Sequence, residues 1–82
     1  MENTGYVGVI KTLHPERGFG FVMVEGFEQN IFFHARDLRR IHIEDLRKGD
    51  KLRIETINPN DRPNKAGQVV QGLIAKEIYL IS

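Results

Sequence analysis

Glycine and phenylalanine alternate through Gly18-Phe19-Gly20-Phe21, followed by Val22. That run has the two-residue period of a strand. In an extended strand, successive side chains point to opposite faces. Phe19 and Phe21 therefore share one face, and the face behind them is nearly bare. A second run, Asn30-Ile31-Phe32-Phe33-His34, follows after a turn. Here Phe32 and His34 share a face while Ile31 and Phe33 point the other way. Paired as a hairpin, the two strands would gather Phe19, Phe21, Phe32 and His34 into one platform with Arg17 at its edge. A one-residue slip in register would send the same rings inward. The two glycines cannot fill a core, so the outward register is expected, with Phe33 in the core. Uncovered aromatic surface on so small a protein marks an interaction site. Rings beside a cation fit the stacking of unpaired nucleobases.

The rest of the chain reads as further short strands. Tyr6 to Leu13 is rich in Val, Ile and Thr. His14 to Gly18 is a turn broken by Pro15 and Gly18. Strands are expected over Gly18 to Val24, Gln29 to His34, Lys51 to Ile57 and Gly72 to Ile81. Ala35 to Arg40 has room for little more than one helical turn. Ile41 to Gly49 is a short helix or a loop pinned by Ile43 and Leu46. Asn58 to Gly67, with Pro59, Asp61, Pro63 and Gly67, is expected as a loop with little to bury. Gln68 to Gln71 extends a strand at its far side. Five strands without a long helix point to an all-β fold, a five-stranded antiparallel barrel of the oligonucleotide/oligosaccharide-binding (OB) type. Closure removes strand edges and gives a short chain one continuous core. The inner set is expected to be Ile10, Leu13, Val22, Ile31, Phe33, Leu52, Ile54 and Ile78. The RNA-recognition motif shares a basic-Gly-aromatic-Gly-aromatic run, but there a strand, a helix and another strand come first. Only sixteen residues precede Arg17, interrupted by Gly5, Gly8 and Pro15.

The two motifs resemble those of the cold-shock domain family. Arg17-Gly18-Phe19-Gly20-Phe21-Val22 matches the family's basic-Gly-Phe-Gly-Phe-aliphatic pattern. Ile31-Phe32-Phe33-His34 matches its aliphatic-Phe-hydrophobic-His pattern, and Gly8 to Lys11 fits its first strand. The resemblance is tightest over about residues 5 to 38 and looser beyond. It implies an OB barrel that binds single-stranded RNA or DNA, with RNA-chaperone-like action. It assigns Lys11, Arg17, Phe19, Phe21, Phe32 and His34 to nucleic-acid binding. Three departures stand out. Thr12 and Leu13 replace the Trp and Phe that usually follow the first-strand Lys, Ala35 replaces a Phe after the motif His, and the segment of about Asn58 to Gln71 is longer than the family's.

With 82 residues, the chain is expected to form a single domain over 1–82. A net charge of +1 argues against a duplex binder working by bulk electrostatics. Arg36, Arg39, Arg40, Arg47 and Lys48 nonetheless form a local basic cluster beyond His34. There are no cysteines, hence no disulfide and no thiolate metal site. The apolar runs are too short for a membrane span, and the N-terminus lacks the regions of a signal peptide, so a cytoplasmic setting is expected. His14, His34 and His42 show no ligand spacing with carboxylates, so neither metal nor cofactor is expected. Glu44-Asp45 lacks a partner base, and no phosphate-cradling loop precedes a helix. The chain is therefore not expected to be an enzyme. The alternative use of the aromatic face is as a protein-docking module that could be one part of a larger protein, and a weaker option is carbohydrate binding.

Overall fold

The computed structural model describes residues 5–81. The elements follow as β1 (Tyr6–His14), β2 (Phe19–Val24), β3 (Ile31–His34), β4 (Lys51–Pro59), β5 (Arg62–Pro63), β6 (Val69–Val70) and β7 (Leu73–Leu80). Two single-turn 3-10 helices, Ala35–Asp37 and Ile43–Asp45, lie between β3 and β4. Five strands close a barrel in the order β1-β2-β3-β7-β4, while β5 and β6 pair only with each other. The expected all-β, five-stranded OB barrel is what the chain forms. Its ladders are antiparallel except where β3 meets β7, which pair in parallel through Phe32 with Ile74 and Phe33 with Ala75. No helix among the described residues is long and apolar enough to cross a membrane.

The core follows strand alternation in three strands: Val22 and Val24 point inward from β2, Ile31 and Phe33 from β3, and Leu52 and Ile54 from β4, all buried. In β7 the buried pair is Ala75 and Ile78, three residues apart, with Glu77 between them at φ of +55°. Ile10 joins them from β1, and Leu38, Ile43 and Leu46 add apolar groups from the segment between β3 and β4. Of the expected inner set, Leu13 alone is only partly buried, packed against the core rather than within it.

One irregularity in β1 decides which side chains reach the outer face. Ile10 pairs with Val22, but Thr12, not Lys11, pairs with Phe21, so β1 carries one extra residue there. A bulge of this kind leaves a residue unpaired and re-aims the strand beyond it. Leu13 then falls opposite Gly20, and His14 opposite Phe19. Ile10 and Leu13 both face the interior although three residues apart, which a regular strand forbids.

Two expectations need correction. Gly18 is not in a strand: with φ of +77° it ends the turn after β1, accepting the strain that side-chain-bearing residues avoid. The segment 58–67 is not a plain loop either. β4 runs on to Pro59, and Arg62 and Pro63 pair with Val70 and Val69. The hairpin tip is held by Asn64, whose Oδ1 accepts from the Ala66 and Gln68 N–H groups at 2.9 Å each. An Asn side chain mimicking a backbone turn needs no buried apolar group, which is why a search for buriable residues misses this hairpin.

Candidate nucleic-acid interface

The aromatic face is built by the β2–β3 ladder, in which Phe19 lies opposite His34, Gly20 opposite Phe33, and Phe21 opposite Phe32. Gly20 and Phe33 point inward. Phe19, Phe21, Phe32 and His34 point outward and are half-buried. The glycine face, expected to be bare, is filled from across the ladder: a Cβ on Gly20 would stand 2.8 Å from Cε2 of Phe33. The large residue that fills the core behind β2 is thus supplied by β3, and this frees both phenylalanines of β2 for the outside.

The rings touch but do not form a flat surface. Phe19 and Phe32 are 5.6 Å apart between centroids with planes 32° from parallel. Phe21 meets both edge-on, at 6.1 Å and 89° to Phe19 and at 5.7 Å and 69° to Phe32. Edge-to-face packing satisfies the ring quadrupoles better than a coplanar sheet of rings. The result is a corrugated face with more than one stacking orientation. His34 stands across from Phe19, and its Nδ1 accepts the Arg36 N–H at 3.3 Å. A neutral imidazole held this way carries its proton on Nε2, which stays free to donate.

Lys11 is exposed at the bulge, and Arg17 is exposed in the turn before β2. The bulge also brings in residues that strand alternation alone does not assign. Thr12 faces Phe21. The His14 ring lies 4.9 Å from that of Phe19, at 39°, and so lengthens the aromatic row. The available signal was the spacing of Ile10 and Leu13. The basic residues Arg36, Arg39 and Arg40 are exposed beyond His34, with Arg39 Nη1 donating to the Arg36 carbonyl at 3.1 Å.

A further contributor comes from far along the chain. The hairpin of β5 and β6 sets Arg62 over the outer face, its guanidinium carbon 4.7 Å from the centre of the Phe32 ring. Between hairpin and sheet lies a groove of about 330 Å³ lined by Phe21, Asn30, Phe32, Asn60 and Arg62, among others. Nothing local in the sequence marks Arg62, because its partner is on another strand. Among the described residues, no group of three or more His, Asp or Glu side chains is placed to hold a metal ion.

Comparison with known families matches residues 6–72 to the "cold-shock" DNA-binding domain. The matched span ends where β7 begins. Cold shock protein CspA of Staphylococcus saprophyticus is 33% identical over 64 residues, covering 78% of this chain and 94% of the relative. CspA of Staphylococcus aureus matches at the same identity and coverage, 33%, 78% and 94%. Cold shock-like protein CspD of Haemophilus influenzae is 27% identical over 64 residues, covering 78% of this chain and 88% of the relative.

Proposed function

The chain belongs to the cold-shock domain family, a nucleic-acid-binding family, and from that premise we propose that it holds single-stranded RNA or DNA by stacking bases on Phe19, Phe21, Phe32 and His34. The observation that carries this reading is the contiguous cluster of Phe19, Phe21 and Phe32, with centroids 5.6–6.1 Å apart, kept half-exposed on the outside of a barrel whose core is already filled. Each base–aromatic contact of this kind is worth about 1–3 kcal/mol. Stacking is tolerant of sequence because every base has a π-face. Lys11 and Arg17 take phosphates at the rim, and His34 donates from Nε2 to an acceptor on a base or the backbone.

Duplexes are poor ligands for such a face, since their bases are already stacked on one another. A protein that binds only the open form draws a hairpin–open equilibrium toward the open strand, by as much as its differential affinity for the two. That is RNA-chaperone-like action without energy input. The test is a titration with single-stranded polypyrimidine RNA and DNA, each against a duplex control. Saturable binding of the single strands with little of the duplex is expected. Equal affinity for duplex and single strand would overturn the proposal.

A further inference from the structure

Arg62 occupies a position that stacking alone gives no use. Its guanidinium carbon lies over the Phe32 ring, 4.7 Å from the ring centre. The side chain is held there. The Asn60 N–H donates to the Gly72 carbonyl at 2.8 Å and closes the base of the hairpin. With its amide turned so that oxygen faces the guanidinium, Asn60 accepts from Arg62 Nε at 3.3 Å and from Nη2 at 3.1 Å. That pairing engages the Nε edge of the fork and leaves the Nη1 side to a ligand. The groove beside it, about 330 Å³, is walled by Phe21 and Leu73 and carries the amides of Asn30 and Asn60. That volume is within the range of sites that enclose a small planar ligand.

We propose that this groove is a guanine-reading position on the single-strand track, with Arg62 as its reader. The inference rests on the stacking reading above and adds base identity to it. A base stacked on Phe21 would occupy the groove that Arg62 also lines, with an edge toward the guanidinium. Guanidinium is a donor only, in a rigid planar fork. Guanine presents two adjacent acceptors, O6 and N7, that match this fork. Adenine places an amino donor beside N7, and cytosine places an amino donor on the same edge, so both set donor against donor. Uracil and thymine offer a single acceptor, O4. A single strand exposes these edges freely. The phenylalanines have no such preference, so discrimination at this position belongs to Arg62.

The experiment is fluorescence anisotropy with a short oligothymidine in which one guanine is moved along the strand, beside matched adenine and 7-deazaguanine series. At one position guanine is expected to bind about five- to a hundredfold tighter than adenine. The advantage should shrink with 7-deazaguanine, which lacks the N7 acceptor. In Arg62→Lys the guanine-to-adenine ratio at that position should fall toward one, because an ammonium is a point charge and does not span two acceptors side by side. No guanine preference at any position, or a ratio unchanged in Arg62→Lys, would overturn the assignment while leaving the stacking reading standing. Failure of plain oligothymidine to bind would instead overturn the stacking reading, and the reader with it.

Discussion

Gly20 lies directly across the β2–β3 ladder from Phe33, whose ring occupies the space where a side chain on Gly20 would be. A Cβ at residue 20 would come within 2.7 Å of the Thr12 carbonyl oxygen and 2.8–2.9 Å of the Phe33 ring. Neither neighbour yields easily, since one is backbone and the other a fully buried ring. Gly20→Ala should therefore destabilise the fold by about 1–3 kcal/mol through overpacking. Urea denaturation of the two proteins checks this, and an unchanged midpoint would contradict it.

The aromatic residues should separate into two classes. Phe33→Ala removes a fully buried ring and should cost about 3–5 kcal/mol of stability. Phe19→Ala and Phe21→Ala remove half-exposed rings and should cost less stability than that. Each should weaken single-strand binding by about 1–3 kcal/mol. Thermal melts paired with oligonucleotide titrations would show an inverted pattern if the outer and inner faces had been exchanged.

Thr12 faces Phe21 across the β1–β2 ladder and adds no ring to the row. Thr12→Trp should supply one stacking surface and tighten binding by up to about 1–3 kcal/mol. Stability should change little, because a partly exposed strand position accepts an aromatic residue readily. Calorimetry on both proteins measures the gain. Absence of binding in the parent and in Thr12→Trp alike would favour protein docking at this face.

Salt dependence should be shallow. The cations proposed to meet phosphates are Lys11 and Arg17, and each phosphate neutralised on a single strand adds about −0.7 to the slope of log K against log salt. A slope near −1 to −2 is expected on that basis. A much steeper slope would assign the phosphate contacts to Arg36, Arg39 and Arg40, and a flat one would point to an apolar protein partner.

Fold and site were legible in the sequence to different depths. The alternation in β2 and β3 was enough to place Phe19, Phe21, Phe32 and His34 on one face and Phe33 in the core, because period-two patterning is a local property of the strand. The motif-based resemblance and the barrel expectation pointed to the same two strands. What was missed depends on the bulge or on distance. Alternation puts His14 on the inner face, and only the extra residue at Lys11 turns it beside Phe19. Arg62 reaches Phe32 through a hairpin made by an asparagine turn, with no apolar pattern to announce it. Leu38 is buried from outside the strands, in a segment where spacing gives no inward direction.

The seam between β3 and β7 has a kinetic consequence. It is the barrel's parallel join, and it closes through Phe32 with Ile74 and Phe33 with Ala75. Those partners are distant in sequence, so the loop-closure entropy must be met before the pairing returns anything. The short seam should therefore zip up late in folding, and the native barrel should breathe there first. Phe32 sits on that seam and also on the outer face. A strand stacked on Phe32 would bind the zipped barrel and not the parted one, so it would slow the opening of the barrel itself. Ligand occupancy would then be readable on the partner strand, as slower amide exchange along the edge of β7.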